Sequence, residues 1–124
     1  GDATKIGTSG YATQIGTSGD RTQIGTSGYA TQIGTSGDAT QIGTSGDRTK
    51  INSTGKNTVI VCAGHGCIAK AKKGSWITLS EWEKNFVKKR YIPVCVKTEY
   101  VDGEKIKEDT YYTLENGEFV EVEE

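Results

Sequence analysis

The chain has 124 residues, of which 33% are hydrophobic and 17 are glycine, and its formal net charge is −1 at pH 7. The length allows one folding unit or two small ones, and the near-zero charge excludes a whole-chain field that attracts nucleic acid or anionic lipid. No apolar run approaches the roughly 20 residues that a membrane-spanning helix needs. Because residue 1 falls inside a repeat phrase, we expect the chain to be a fragment or a processed product.

The first half of the chain repeats one nine-residue phrase. Units such as ATQIGTSGD and RTQIGTSGY fill residues 3–47, and decayed copies continue to residue 74. A short fixed period is typical of stacked repeat architectures. Within each unit T-x-I-x-T alternates with period two, which predicts a strand of about five residues with its Thr-Ile-Thr face inward. The S-G-[DY]-[AR] stretch predicts a corner, at which we expect glycine to adopt a positive φ.

Two units per turn predict an 18-residue coil with two parallel sheets, because three units would enclose a lumen too wide for Thr-Ile-Thr to fill. In this register Tyr11 stacks on Tyr29, and another corner column contains Asp2, Asp20 and Asp38. Stacking at a strand spacing of about 4.8 Å favours tyrosine and disfavours aspartate, a repulsion that we expect corner arginines to offset. The candidate interaction surface therefore consists of variable corner residues: Tyr11, Tyr29, Arg21 and Arg48.

The second half of the chain holds eight of the ten aromatic residues. We expect residues 1–74 to form the solenoid and residues 75–124 to form a small antiparallel β cap that closes it. WITLSEW and YIPVCVKTEYV predict strands, the second on a sheet edge because of Pro93, and EKNFVKKR between them predicts a loop or a short helical turn. Asp102-Gly103 and Asn116-Gly117 each predict a hairpin turn. The predicted fold class is all-β, a parallel β-solenoid of two nonapeptide strands per coil with an antiparallel C-terminal cap.

The stretch GCIAKAKKGSWITLSEWE, followed by VDGEKIKEDTYYTLENGEFVEV, resembles the end of an uncharacterised family of phage and bacterial proteins. Members of that family carry Gly-Ala-Ser-Thr repeats before this closing segment. The resemblance covers roughly residues 48–124, and the present repeats differ by using Ile and Thr where Ala and Ser are commoner. It implies a capped solenoid of phage or bacterial origin, and it implies no activity and no catalytic residues.

The cysteines and the single histidine raise the question of a metal site. Cys62-x-x-His65-x-Cys67 has ligand residue types, but the alternation points both cysteines inward and His65 outward, and no fourth ligand is near in sequence. We expect buried thiols and a surface histidine. The aspartate column invites comparison with calcium-binding nonapeptide rolls, but TSGDA has one glycine where those rolls have three, so we expect turn-capping aspartates. With Cys95, the odd cysteine count favours a reducing compartment, and we expect a cytoplasmic protein.

Basic residues concentrate between positions 70 and 90, where only Glu81 and Glu83 oppose them. We expect a mutually neutralised or solvated surface here, since residues 99–124 are strongly acidic, and we do not expect a nucleic-acid partner. The cluster comprises Lys70, Lys72, Lys73, Lys84, Lys88, Lys89 and Arg90.

The sequence favours a non-catalytic structural or interaction module that binds a protein partner or associates end to end through its open N-terminal end. We expect no enzyme activity, no catalytic residue, no cofactor, no metal and no membrane partner, since a single histidine leaves little scope for acid–base catalysis near neutral pH. The alternative from another class is an ice-binding solenoid, which requires the regular threonine rows to face outward.

Overall fold

The computed structural model describes residues 3–123, which form twelve strands and contain no helix. Eight short strands belong to the repeats: β1 (Lys5–Thr8), β2 (Gln14–Thr17), β3 (Gln23–Thr26), β4 (Gln32–Thr35), β5 (Gln41–Thr44), β6 (Lys50–Ser53), β7 (Val59–Cys62) and β8 (Ile68–Lys70). Four longer strands follow them: β9 (Trp76–Asn85), β10 (Arg90–Tyr100), β11 (Tyr111–Glu115) and β12 (Glu118–Val122).

Successive repeat strands alternate between two sheets, which confirms the parallel β-solenoid. One sheet has the order β1-β3-β5-β7-β9-β10, and the other has the order β2-β4-β6-β8-β11-β12. Parallel neighbours pair residues that are 18 apart, as Ile24 pairs with Ile42 and Ile15 pairs with Ile33. Each coil therefore places two nonapeptide units on opposite sheets, and each strand is the template for the strand one coil later.

The isoleucines point into a narrow lumen between the two sheets, as predicted. Ile51 and Ile60 are completely buried there, and the first threonine of each later unit, for example Thr40, is equally buried. In the decayed units the same phase continues with buried Cys62 and Ala69. Because the side-chain period of a strand is two, the intervening Gln and Gly positions face solvent on the outer surfaces of both sheets.

Threonine suits the lumen because its hydroxyl bonds the amide or carbonyl of the corner glycine. Thr40 Oγ1 donates to the carbonyl of Gly37 at 2.9 Å, and Thr44 Oγ1 accepts from the amide of Gly46 at 3.1 Å. Across the same corner Thr44 and Thr49 hydroxyls lie 3.2 Å apart. Buried polar groups are tolerated when they are paired, so these threonines fill the lumen and fix the turn.

The expected role of the corner glycine is wrong. The residue that adopts a positive φ is the second residue after that glycine, with φ between 53° and 59° at seven corners: Ala3, Ala12, Arg21, Ala30, Ala39, Arg48 and Asn57. The glycine itself is required because successive coils approach there closely. A Cβ atom on Gly46 would overlap the carbonyl oxygen of Gly28, and the same contact with the preceding coil recurs at Gly28, Gly37, Gly55 and Gly64.

The C-terminal segment closes the solenoid with two hairpins, one on each sheet. β9 pairs with β7 in parallel and with β10 in antiparallel orientation, and Pro93 lies on the edge strand β10, as predicted. β11 pairs antiparallel with β8 and with β12. The predicted Asn116-Gly117 turn is confirmed, with φ of 52° and 77°, the paired positive values of a two-residue hairpin turn. Both sheets thus cross the predicted boundary at residue 74 without interruption.

Two local predictions in this segment are wrong. Asp102-Gly103 does not turn a hairpin, because β10 and β11 belong to different sheets and residues 101–110 cross between them. The Asp102 carboxylate instead accepts from the amides of Glu104 and Ile106 at 2.9 and 3.1 Å, and these bonds lower the pKa of Asp102. In EKNFVKKR, the first three residues extend β9 and only residues 86–89 form the turn.

The glycine contacts predict opposite outcomes for two neighbouring substitutions. We expect Gly46→Ala to lower the free energy of unfolding by about 2 kcal/mol or more, because the new methyl group forces two coils apart. Gly43→Ala is the matched control, since an added Cβ there meets nothing within 4 Å, and its effect should stay within about 0.5 kcal/mol of wild type. Urea unfolding followed by circular dichroism measures both, and equal effects would contradict this account of the corner.

Candidate functional site: the tyrosine edge

One edge of the solenoid carries a column of side chains at intervals of 18 residues, which we call the tyrosine edge: Tyr11, Tyr29, Asp47 and His65. The rings of Tyr11 and Tyr29 lie 5.2 Å apart at an interplanar angle of 15°, which confirms the predicted stack. Both remain accessible, with exposed fractions of 75% and 40%. Stacked aromatic rings held on a rigid frame offer contact area at low conformational cost.

The aromatic column resumes at the cap end of the same edge. The ring of His65 lies 4.6 Å from that of Tyr91, which β10 contributes, at an interplanar angle of 35°. Asp47 stands between Tyr29 and His65, so one level of the column lacks a ring. The Asp47 Oδ1 atom accepts from the His65 amide at 2.8 Å, which holds the carboxylate against the coil that follows.

A cavity of about 360 Å³ opens at the level of Asp47, and we call it the corner cavity. The β9–β10 hairpin overhangs this corner, and the Trp82 Nε1 atom donates to the carbonyl of Ala63 at 2.9 Å. Four of the lining residues carry rings, and Asp47 and Arg48 are the charged residues among them. The residues that line it are Tyr29, Ser45, Asp47, Arg48, His65, Trp82 and Tyr91.

The structure brings together three of the four predicted surface residues. Tyr11, Tyr29 and Arg48 lie along the tyrosine edge, and the last two line the corner cavity. Arg21 lies on the opposite edge, because it follows Asp20 in the alternate column. No sequence pattern indicates that Trp82 and Tyr91 line this cavity, since their position depends on how far the hairpin reaches beyond the coil.

The aspartates on the opposite edge are held by the backbone. Asp20 Oδ1 accepts from the amide of Asp38 at 2.9 Å, and Asp38 Oδ1 accepts from the amide of Lys56 at 2.8 Å. Each carboxylate thus accepts a hydrogen bond from the backbone of the following coil, which offsets the repulsion expected between stacked aspartates. Asp2, the first member of the predicted column, lies outside the described residues. In the described range 3–123, no group of three or more His, Cys, Asp or Glu side chains is arranged to hold a metal ion.

Cys62 and Cys67 occupy the positions that paired hydroxyls occupy at earlier corners. Both thiols are buried, as predicted, whereas His65 is half-buried at the surface. A hydrogen bond between the two thiols, together with burial, raises the pKa of Cys62 well above its usual range. The pair therefore continues the corner contact seen between Thr44 and Thr49, and the same bond lowers the pKa of Cys67.

The basic residues separate into two groups in three dimensions. Lys70 lies over the ring of Tyr111 at 4.7 Å, and Lys72 forms an ion pair with Asp109 at 2.8 Å. Lys73, the next residue in the chain, belongs to the same group. The other members lie around the turn of the β9–β10 hairpin, where no ion pair engages them within residues 3–123: Lys84, Lys88, Lys89 and Arg90.

Comparison of the chain with protein-family models, with curated proteins and with solved structures finds no match. The resemblance to the phage and bacterial family accordingly stays a prediction. Residues 3–123 contain no helix that is long and apolar enough to cross a membrane.

Proposed function

We propose that this protein is a non-catalytic structural or interaction module, a rigid β-solenoid rod that docks a protein partner along its tyrosine edge. The observation that carries the proposal is the interrupted aromatic column. Rings lie at the levels of Tyr29 and His65, and the level between them is an open cavity bounded by Trp82 and Tyr91.

The dimensions of the corner cavity favour a planar occupant. Adjacent coils are about 4.8 Å apart, so the faces of Tyr29 and His65 are separated by about 10 Å. One aromatic side chain inserted between them completes the column at ring separations that stacked pairs adopt. Asp47 and Arg48 line the cavity with opposite charges, so a neutral ring with a hydroxyl, such as tyrosine, finds an acceptor without bringing a charge of its own.

The cavity can be tested with N-acetyl-tyrosinamide as the probe. We expect saturable movement of the Trp82 indole N–H signal in proton–nitrogen correlation spectra, assigned by comparison with Trp76→Phe. Tyr29→Ala should weaken binding about tenfold, because it removes one stacking face.

Tyr11→Ala is the comparison variant: Tyr11 does not line the cavity but stacks on Tyr29, so we expect a clearly smaller loss of affinity than in Tyr29→Ala. N-acetyl-leucinamide, which is apolar and not planar, should not bind. Equal loss in both tyrosine variants, or an immobile Trp82 signal, would refute docking at the corner cavity.

End-to-end association is the second element of the proposal. In the first described coil Ile6 and Ile15 are only half-buried, whereas the inward isoleucines of the next units, from Ile24 to Ile60, are buried. The outer edges of β1 and β2 also carry backbone groups that no strand within residues 3–123 pairs. A second copy whose N-terminal end stacks on this one would cover both features. Such unpaired strand edges are recognised sites of association.

Association through this end can be tested by charge. We expect concentration-dependent self-association of the wild-type chain in sedimentation velocity, and we expect Ile15→Glu to abolish it because the carboxylate lies in the lumen between the two copies. Gln14→Glu adds the same charge to the neighbouring outward position and should associate as the wild type does. A wild-type protein that stays monomeric at high concentration would exclude this contact.

The ice-binding alternative receives no support from the geometry. It requires outward rows of threonine, and the threonines from Thr22 to Thr58 in the inward phase are buried. The outer rows consist of Gln, Lys and Gly positions in the regular coils, such as Gln23 and Gly25.

A further inference from the structure

The β9–β10 hairpin ends in a turn that exposes two large apolar side chains. Phe86 and Val87 have exposed fractions of 83% and 92%, the highest of the exposed large hydrophobic residues in the described chain. The turn is ordered by its own contacts, since the Asn85 Oδ1 atom accepts from the Lys88 amide at 2.8 Å. Solvent exposure of adjacent apolar side chains at a held turn marks a candidate contact surface.

The turn projects away from the body of the protein. The hairpin contacts the solenoid as far as Tyr91, whose ring lies 4.6 Å from that of His65 and which pairs with Lys84 of β9. From Lys84 to Phe86 the chain advances about 7 Å at the usual rise per residue. The apolar pair therefore lies beyond the last of these contacts and is exposed to solvent.

Four cations surround the apolar pair: Lys84, Lys88, Lys89 and Arg90. We call residues 84–90 the hairpin tip. All four cations are exposed, and Lys84 also lies over the ring of Tyr91 at 5.6 Å. Nearby Glu83 opposes them, whereas the Glu81 carboxylate is bonded to the amides of Asn116 and Gly117. The tip thus combines a net positive charge with an apolar apex.

We infer that the hairpin tip binds anionic lipid bilayers peripherally, with Phe86 and Val87 inserted at the headgroup level and the four cations on acidic headgroups. Interfacial binding scales with buried apolar area together with electrostatic attraction to anionic lipid, and the tip supplies both terms. The expectation of no membrane partner depends on the length of apolar runs and on whole-chain charge. Neither quantity measures a local tip of this kind.

The apolar apex favours lipid over nucleic acid as the partner. Phosphate backbones are recognised by cations and polar groups, and an aliphatic side chain such as Val87 offers neither a charge nor a ring for stacking on bases. A bilayer interface accepts both Phe86 and Val87, because each buries apolar surface there.

Vesicle flotation with the full chain tests the inference. We expect the wild-type protein to float with phosphatidylcholine vesicles that contain phosphatidylglycerol and to remain at the bottom with pure phosphatidylcholine, and binding should weaken as salt is added. Phe86→Ser/Val87→Ser should reduce the partition coefficient about tenfold or more. Lys88→Glu/Arg90→Glu should reduce it by a similar factor or more.

Matched variants separate the tip from general effects. Val96→Ser removes a valine that is 63% exposed on β10 but away from the tip. This variant should bind as the wild type does. Lys5→Glu/Lys56→Glu makes the same change of net charge on the solenoid and should retain most of the binding. Absence of wild-type binding to anionic vesicles, unchanged binding by the Phe86/Val87 variant, or binding only to a single-stranded DNA oligonucleotide would each overturn the inference.

Discussion

Coil-on-coil stacking at the spacing of β-strands is the constraint on which the other features depend. Because the period is 18 residues, every side chain in the regular coils meets the residue at the equivalent position one coil away. The Thr and Ile side chains fill the lumen and pack the two sheets against each other. Glycine at the corner lets the backbones of successive coils approach closely. A single nonapeptide makes neither contact, so each unit is stabilised only by its packing against neighbouring units.

Self-stacking determines which residues the corners accept. Tyrosine gains a ring contact from its copy, and outward glutamines form amide pairs such as Gln23 Nε2 to Gln41 Oε1 at 3.4 Å. Aspartate is accepted because its carboxylate bonds the backbone of the next coil. The tyrosine edge and the opposite aspartate edge are therefore two solutions to the same requirement, and the first presents stacked aromatic rings to a partner.

The repeat made the solenoid predictable because alternation, period and corner all follow from one phrase. The inward isoleucines, the Tyr11 and Tyr29 stack and the Asn116-Gly117 hairpin required only local pattern and the 18-residue register. The failures have a common cause in contacts between distant segments. The corner glycine is selected by the carbonyl of the preceding coil, and Asp102-Gly103 belongs to a crossing because β11 pairs with β8. The corner cavity was equally hidden, since Trp82 and Tyr91 reach the edge only through the overhang of β9 and β10.

Disulfide trapping tests the coil register most directly. In a Cys95→Ser background, Gln23→Cys/Gln41→Cys places two thiols on adjacent strands in direct register, at the separation of about 5 Å between Cα atoms that a disulfide accepts. Gln23→Cys/Gln32→Cys places them on opposite outer faces. The account predicts rapid intramolecular oxidation of the first pair and none of the second, as measured by mass spectrometry and free-thiol titration at low protein concentration. Oxidation of the second pair at an equal rate, or failure of the first, would contradict it.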